Sequence, residues 1–424
     1  MARRRRKKPT FAEQKLRETL ESGLGLADPE CPYFGECGGC VWQAIDYRRQ
    51  LEFKREWIER TFHEYGLSEV EVPMPLPSPR LYGYRNKMEF SFAARRWFSR
   101  HEIESGDPLD RDFALGLHAR GAFDRVLDIH SCPLQAEPAN ALLQATREFA
   151  KESGLPPYDI HAQEGFYRFL ILRYGFYTDQ LMVVLVTTRR DSEQMKRYVD
   201  FLHARELQPT SVVNGVTDAP ASTSQGSELF VDFGEPCLEE RLLGKAFVLE
   251  PDAFFQPNTY GAEVLAEKVL EYANLRGTET VLDLYCGVGV FAILAAEQAE
   301  RVIGIEKLPS AVESARRNAR RNGIDNAQFL AHDLDRGIRT LPGDARPEVV
   351  ITDPPRAGMH ARTIQAILDL APERIISVSC HPVPQAENLA KLCAEGDYYI
   401  AEVQPVDLFP HTAHVENVAL LMRS

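Results

Sequence analysis

The chain has 424 residues, 44% of them hydrophobic, and carries a formal net charge of −13 at pH 7. This length suggests two or three domains, and no apolar run approaches the roughly 20 residues that a membrane-spanning helix needs. The basic N-terminal sequence ARRRRKKPTF has no apolar segment after it, so it predicts a solvated tail and not a secretory signal.

Charge is distributed unevenly along the chain. Residues 1–100 contain 19 Lys and Arg against 14 Asp and Glu, a net charge of +5, which leaves −18 for the remainder. The overall negative charge argues against a nucleic-acid partner, whereas the basic end favours a polyanion as partner. A basic tail with solvated helix faces would give the same counts.

The N-terminal half predicts a tail, a helix and then a strand-rich region. After a tail over 1–30 with one short helix, an amphipathic pattern predicts a helix over 43–64. Alternating or β-branched segments such as KMEFSF, FALGLHAR and QLMVVLVTT predict strands between about 80 and 250. The polar segment TDAPASTSQGSE, 217–228, predicts a surface loop.

From about residue 260 onward, apolar strands alternate with helices. The strands are expected in TVLDLY, RVIGIE, EVVIT, RIISVS and NVALLM. This alternation predicts an α/β fold with a C-terminal, doubly wound and mostly parallel sheet. We therefore expect three parts: a basic tail (1–30), a β-rich region (31–245) and a sheet domain (246–424). Open sheets of this kind bind ligands beyond the carboxyl ends of their strands.

The segment DLYCGVGVF, 283–291, predicts a strand that runs into a Gly-rich turn and then a helix. Gly287 and Gly289 allow a tight turn and a close approach of a ligand to the backbone. Glu306 ends the next strand, where its carboxylate can accept hydrogen bonds from ribose hydroxyls. The pattern predicts an adenosine-containing cofactor, and the absence of a third glycine favours S-adenosylmethionine over NAD.

The next strands also end in residues that can do chemistry. Asp353 begins the stiff turn DPPR, which alone would be an ordinary structural turn. Cys380 ends the following strand, where we interpret it as a nucleophile and not as a core thiol. Glu416, in FPHTAHVENV, is either a solvated carboxylate or a general base that faces the crevice.

The chain has eight cysteines, too few for a disulfide scaffold of this size, so we expect a reducing cytoplasm. Cys31, Cys37 and Cys40 have the spacing C-x5-C-x2-C, and Cys132 is a candidate fourth ligand. Four thiols in this pattern suit zinc or an iron–sulfur cluster.

Residues 80–100 combine six Lys or Arg and one acid with several aromatic side chains. Cations and aromatics together suit phosphate contacts and base stacking on single-stranded RNA. For Phe90 and Phe92, however, the alternation predicts that the rings face a core.

Taken together, these motifs resemble those of the RNA uracil carbon-5 methyltransferase family, and particularly its iron–sulfur branch that modifies 23S ribosomal RNA. The resemblance covers residues 31–424 and rests on six motifs in order: YRNKMEFSF, FxQxN (254–258), DLYCGVG, DPPR, SC and HTAHVE. It implies a class I, S-adenosylmethionine-dependent methyltransferase fold for 246–424. For 31–245 it implies a region that binds RNA and an iron–sulfur cluster.

The resemblance also implies roles for individual residues. It makes Cys380 the nucleophile and Glu416 the base. The implied cofactor contacts are Gln256, Tyr285, Gly287, Gly289, Glu306 and Asp333. The resemblance also implies that Asp353 lies at the catalytic crevice. The implied ligands of a structural 4Fe–4S cluster are Cys31, Cys37, Cys40 and Cys132.

The expected reaction explains why a thiol and a carboxylate are needed. Carbon 5 of uracil is a poor nucleophile, and addition of a thiolate at carbon 6 makes it nucleophilic. After methyl transfer, a base removes the carbon-5 proton and the thiol leaves. The target base must leave its stack to reach these groups.

Two departures from the family pattern concern the choice of RNA. His381 follows the cysteine where an Asn is usual, and an N-terminal β-barrel RNA-binding domain is expected to be absent because only 30 residues precede Cys31. We expect 23S rRNA as the substrate, with tRNA as the alternative, and no obligate protein partner. The rival interpretations are methylation of an amino group, which also uses a DPP turn, and a non-catalytic iron–sulfur RNA-binding protein.

Overall fold

The computed structural model describes residues 10–106, 111–219, 228–338, 341 and 345–424. The run of basic residues in the predicted tail and positions 220–227 of the predicted loop lie outside these ranges. Within them, no helix combines the length and the apolar character needed to cross a membrane.

Helices occur along the whole described chain. The α-helices are α1 (Phe11–Ser22), α2 (Tyr47–Glu64), α3 (Arg100–Ser105), α4 (Glu137–Glu152), α5 (Ser192–Ala204), α6 (Thr259–Ala273), α7 (Val290–Ala296), α8 (Pro309–Arg321), α9 (Ala361–Leu370) and α10 (Pro382–Glu395). A short 3-10 helix covers Leu334–Arg336.

Strands divide into an N-terminal and a C-terminal set. The strands are β1 (Lys87–Ala93), β2 (Arg96–Trp97), β3 (Ala114–His118), β4 (Val126–Asp128), β5 (Tyr167–Tyr174), β6 (Leu181–Thr187), β7 (Ser211–Val216), β8 (Glu228–Gly234), β9 (Leu238–Leu242), β10 (Lys245–Leu249), β11 (Thr280–Leu284), β12 (Arg301–Glu306), β13 (Ala327–Ala331), β14 (Val349–Thr352), β15 (Arg374–Ser379), β16 (Tyr398–Val406) and β17 (Glu416–Arg423).

The N-terminal set forms, within the described residues, a mixed sheet in the order β2-β4-β3-β1-β5-β6-β7-β8. Helices α4 and α5 pack against it. The alternation in β1 buries Phe90 and Phe92 in the core of this sheet, as the sequence predicted.

The C-terminal set forms a sheet in the order β13-β12-β11-β14-β15-β17-β16, again within the described residues. The pairs from β13 through β15 are parallel, and β17 and β16 add an antiparallel edge. The predicted α/β class with a doubly wound, mostly parallel sheet is confirmed. The strand order reverses between β11 and β14, which is where such sheets open a ligand crevice.

Two segments that begin before residue 246 pack on the C-terminal part of the chain. Helix α2 contacts α10 and buries Ile58 and Phe62 in the same core as Leu282 and Leu389. The β9–β10 hairpin contacts α6 and α8. The proposed division between residues 245 and 246 therefore falls inside a hairpin whose packing partners belong to the C-terminal part.

Candidate active site

The Gly-rich turn after β11 lies at the point where the strand order reverses. Tyr285, Gly287 and Gly289 all have positive φ angles, of 64°, 54° and 89°. A Cβ added at Gly289 would lie 3.1 Å from the Ala315 side chain, whereas one at Gly287 would meet no atom within 4 Å. Gly289 is therefore required by packing against α8, and Gly287 leaves open space beside the backbone for a ligand.

Carboxylates at or just after the ends of two neighbouring strands lie beside this turn. Glu306, at the end of β12, accepts hydrogen bonds from the backbone N–H groups of Gly287 (3.2 Å) and Leu308 (2.9 Å). Asp333 pairs with Lys307 at 3.1 Å, and hydrogen bonding from this ammonium lowers the pKa of Asp333. Carboxylates fixed in this way can accept hydrogen bonds from the hydroxyls of a ribose.

Gln256 lies on the segment between β10 and α6. Its backbone carbonyl accepts a hydrogen bond from Asn86 (2.8 Å), which connects the segment to the N-terminal sheet. Buried Asn258 begins α6 by accepting a hydrogen bond from the Gly261 N–H, and it donates one to the Leu408 carbonyl. These bonds fix the FxQxN segment at its middle and at its C-terminal end.

The candidate nucleophile and base lie on adjacent antiparallel strands. The last pair of this ladder joins Ser379 of β15 to Asn417 of β17, so the next opposed positions are Cys380, directly after β15, and Glu416, the first residue of β17. The charge of Glu416 contributes to the raised pKa of Cys380, as expected for two groups that lie close together. Asp353 follows β14, the strand on the other side of β15. The sheet thus brings together three residues that are far apart in the chain.

Burial disfavours the thiolate form of Cys380. It raises the pKa of Cys380 to about 11, with a smaller contribution from the charge of Glu416, while a hydrogen bond and the charge of Arg356 act in the opposite direction. The side chain of Cys380 remains partly exposed, so a ligand in the crevice can reach it. Arg356 of the DPPR turn is the cation placed to favour the thiolate.

Glu416 is almost fully buried, and its Oε2 atom has no hydrogen-bond partner in the described structure. Burial raises the pKa of Glu416 to about 8, with the charge of Asp353 adding to the effect. Burial also raises the pKa of Asp353 to about 7. A carboxylate with a pKa close to the working pH is suited to accept a proton.

The loop before Glu416 is held by helix α2, a connection that the sequence did not reveal. Lys54 and Asp407 form a fully buried ion pair at 2.5 Å, and the Tyr47 hydroxyl donates a hydrogen bond to the other oxygen of Asp407 at 2.9 Å. The Gln50 side chain accepts a hydrogen bond from the His411 N–H at 2.8 Å. These contacts fix the chain that leads into β17.

We expect Lys54→Met to lower the free energy of unfolding by about 3–5 kcal/mol, because it leaves the buried Asp407 carboxylate without its cation. Chemical denaturation would measure the change. Lys391→Met is the matched control, since Lys391 pairs with Glu395 at the surface of α10 and its loss should cost no more than about 1 kcal/mol. A change no larger than that of the control would contradict the expectation.

His381 also packs against helix α2. Its ring packs edge-on against Trp57, with 5.6 Å between the centroids, and its Nδ1 atom accepts a hydrogen bond from the Val383 N–H as the N-cap of α10. The residue that replaces the family's usual Asn is thereby fixed beside Cys380.

The four cysteines singled out in the sequence line one small cavity of about 40 Å³ next to the N-terminal sheet. Cys37 and Cys132 are buried, and Cys31 and Cys40 are partly exposed. Among the described residues, no group of three or more His, Cys, Asp or Glu side chains is arranged to hold a metal ion. The cavity therefore collects the four thiols, but the described side chains show no arrangement that would hold a metal ion.

Comparison with known proteins identifies the family. The family tRNA (Uracil-5-)-methyltransferase matches residues 238–424. An uncharacterized RNA methyltransferase of Chlorobaculum tepidum is 38% identical over 424 residues, covering 98% of this chain and 87% of the relative. The chain belongs to the RNA uracil-5-methyltransferase family. It is an S-adenosylmethionine-dependent RNA methyltransferase, as the resemblance predicted.

Other relatives of this RNA uracil-5-methyltransferase match along most of its length. An uncharacterized RNA methyltransferase of Porphyromonas gingivalis is 41% identical over 408 residues, covering 93% of this chain and 87% of the relative. The crystal structure of Pyrococcus abyssi tRNA (uracil-54, C5)-methyltransferase in complex with S-adenosyl-L-homocysteine matches with a TM-score of 0.72 and 30% identity. It covers 91% of this chain and 86% of that chain.

Proposed function

We propose that this enzyme methylates carbon 5 of a uridine in 23S rRNA through a covalent adduct between Cys380 and carbon 6 of the base. The observation that carries the proposal is the side-by-side placement of Cys380 and Glu416 across β15 and β17. A thiol alone would suit many reactions, but a thiol next to a buried carboxylate suits addition to the ring followed by proton removal.

The roles of the side chains follow from their positions. The Cys380 thiolate adds to carbon 6, so that a C–S bond forms and negative charge moves onto carbon 5 and the carbon-4 oxygen. S-adenosylmethionine supplies the methyl group that carbon 5 takes up. Glu416 then accepts the carbon-5 proton, the C–S bond breaks, and the thiolate leaves as the double bond of the ring is restored. Arg356 stabilises the thiolate at both ends of this cycle.

We propose that the cofactor lies against the Gly-rich turn. The open space at Gly287 would let the cofactor approach the backbone closely, and Glu306 and Asp333 are placed to bind its ribose hydroxyls. The remaining proposed contacts are Gln256, Tyr285, Gly289 and Asp353. Asp283, which is buried beneath the turn and accepts a hydrogen bond from the Ala292 N–H at 3.0 Å, holds the turn itself.

A direct test is methyl transfer to separated RNAs from a strain that lacks the gene. With labelled S-adenosylmethionine, we expect label at a single uridine of 23S rRNA, located by mass spectrometry of nuclease fragments. Transfer RNA is the second candidate, favoured by the match to a solved tRNA (uracil-54, C5)-methyltransferase. Label in tRNA alone would replace the first target, and label in neither RNA would contradict the proposal.

We also propose that Cys31, Cys37, Cys40 and Cys132 hold a structural 4Fe–4S cluster. The thiols share a cavity whose walls include Met88, Leu117 and Leu134. In such a cluster each thiolate binds a different iron, so the ligands stand farther apart than around one zinc ion. Iron–sulfur chemistry and free thiols both suit a reducing compartment, and we propose a cytoplasmic location.

We expect Cys132→Ser to lose the cluster, because it removes the ligand that connects the loop after α1 to the N-terminal sheet. Iron and sulfide analysis with visible absorbance after anaerobic purification would measure the loss. Cys237→Ser is the matched control, since Cys237 lies outside the cavity. Stoichiometric zinc without visible absorbance would overturn the cluster, as would a Cys132→Ser protein with unchanged iron content.

A further inference from the structure

A second concave site lies on the N-terminal sheet, away from Cys380. It is a cavity of about 220 Å³ formed by the end of β1, by β2 and by the segments 123–126 and 158–161. Two large apolar side chains stand exposed at it, Trp97 (41%) and Phe123 (74%). Exposed aromatic rings beside a cavity are typical of a binding site and not of a core.

Cations accompany these rings. The Arg125 guanidinium lies 4.2 Å from the centroid of Trp97, and the Arg168 guanidinium lies 4.4 Å from that of Tyr158. Arg168 is fixed by hydrogen bonds to the carbonyls of Thr217 and Ala219. The charged side chains that line the cavity are four arginines and two acids: Arg95, Arg96, Arg125, Arg168, Asp124 and Asp159.

The acids do not offset the cations fully, although Arg96 is paired with Glu102. Asp159 accepts hydrogen bonds from the backbone N–H groups of His161 and Ala162, and Asp124 lies 3.6 Å from the His161 ring. Exposed Arg95 and Arg125 remain at the mouth of the cavity. A polyanion is therefore the ligand that the charge favours.

His118 supplies a buried polar group at the same place. Its Nε2 atom is hydrogen-bonded to Ser91 at 3.0 Å, and its Nδ1 atom is buried with no partner in the described structure. Burial lowers the pKa of His118, so the ring is neutral at pH 7. A buried ring nitrogen without a partner is a place for a hydrogen bond to a ligand.

His118 lines a second cavity as well. This cavity has a volume of about 440 Å³, and its other walls include Arg85, Lys87 and Phe254. Phe254 is 69% exposed and lies two residues before Gln256. Cations and exposed aromatic rings therefore line two cavities that share His118, one at the FxQxN segment and one at Trp97.

We propose that the cavity at Trp97 binds an unstacked nucleotide of the same RNA that presents its target uridine to Cys380. The base stacks on Trp97, next to the exposed Phe123 ring, and the phosphates contact Arg95 and Arg125. This inference rests on the proposed function for the identity of the RNA. Stacking on aromatic rings with flanking cations is how proteins bind single-stranded RNA without reading its sequence.

A uridine-free probe separates this inference from the proposed function. The probe is a 12-nucleotide RNA of adenosine and cytidine, which offers no base for methylation. The chain has three tryptophans, Trp42, Trp57 and Trp97, and Trp42 is fully buried. In a Trp57→Phe background, Trp97 is therefore the tryptophan whose fluorescence a bound RNA can reach. We expect the probe to quench tryptophan fluorescence, and Trp97→Phe to bind with similar affinity but without the quenching.

Trp97→Ala should weaken binding of the probe, followed by anisotropy of a labelled RNA, by roughly 5- to 150-fold, as expected for one lost stacking contact. Arg125→Ala should reduce the slope of log affinity against log salt by about one. Tyr399→Ala is the control, since Tyr399 is exposed on β16, outside the cavity. If Trp97→Ala binds the probe with unchanged affinity, the inference is wrong, even if the enzyme methylates uridine. If both variants change binding of the probe as expected but no uridine is methylated, only the proposed function is contradicted.

Discussion

Replacing Cys380 by alanine should reduce methyl transfer by on the order of 10⁴-fold or more, because no other group described at the end of β15 can add to carbon 6. Binding of S-adenosylmethionine should be unchanged, since the proposed cofactor contacts lie on other strands. Transfer of a labelled methyl group to RNA measures the first quantity and calorimetry the second. Cys393→Ala is the control, as Cys393 is a half-buried thiol of the adjacent helix α10.

RNA that contains 5-fluorouridine extends this test to the intermediate. The fluorine at carbon 5 cannot be removed as a proton, so the wild-type enzyme should remain bound covalently to the RNA. The Cys380→Ala protein should form no such complex. Methylation that survives in Cys380→Ala, or the lack of any adduct in the wild type, would contradict the thiol mechanism and favour methylation of an amino group.

The catalytic edge could be predicted because parallel strands are regular. The carboxyl ends of neighbouring parallel strands lie on one side of a sheet, so any residue that follows an apolar strand is assigned to that side. This rule places the turn at Gly287, Asp353 and Cys380 together before the strand order is known. Glu416 begins its strand and reaches the same edge because β17 is antiparallel to β15. The sequence pattern does not reveal this direction.

Contacts between distant segments could not be predicted. Lys54 lies in a helix whose pattern of charges looks solvated, yet its ammonium is buried against Asp407, 353 residues later in the chain. A charge becomes stable inside a protein only with a partner, and a single sequence does not show which partner folds against it. The contact between Trp57 and His381 was missed for the same reason.

For the cysteine cavity, one feature could be predicted from the sequence and another could not. The spacing of Cys31, Cys37 and Cys40 marks a local loop, and Cys132 was predicted as the candidate fourth thiol. In the structure, the loop and Cys132 line one cavity. The Gly38 N–H of the loop donates a hydrogen bond to the carbonyl of His118, the last residue of β3. The thiols could thus be proposed from the sequence, but this backbone contact between the loop and β3 could not.

Glu416→Gln should slow turnover by about 10²- to 10⁴-fold, the usual contribution of a positioned base. Glutamine has the same shape but cannot accept the carbon-5 proton, so the reaction should stop after methyl transfer with the RNA still attached to Cys380. The covalent complex should therefore accumulate on ordinary uridine RNA, where it can be resolved by denaturing electrophoresis. A variant that turns over normally, or one that never forms the complex, would contradict the role of Glu416 as the base.

The pH dependence of the same variant separates catalysis from stability. Only ionised Glu416 accepts a proton, so the wild-type rate should rise as the pH increases through about 8. The contribution of Glu416 to this rise should be absent in Glu416→Gln, where only the ionisation of the Cys380 thiol remains. The raised pKa of Glu416 also affects stability, because it lies above the ordinary value of 4.5 and the folded protein therefore keeps a proton that the unfolded chain releases. The contribution of this proton to the free energy of unfolding is complete below about pH 4.5. It is lost as the pH rises to about 8, at about 1.4 kcal/mol per unit of pKa difference. The wild type should consequently lose stability relative to Glu416→Gln over this range in denaturation experiments, and a difference independent of pH would contradict the raised pKa.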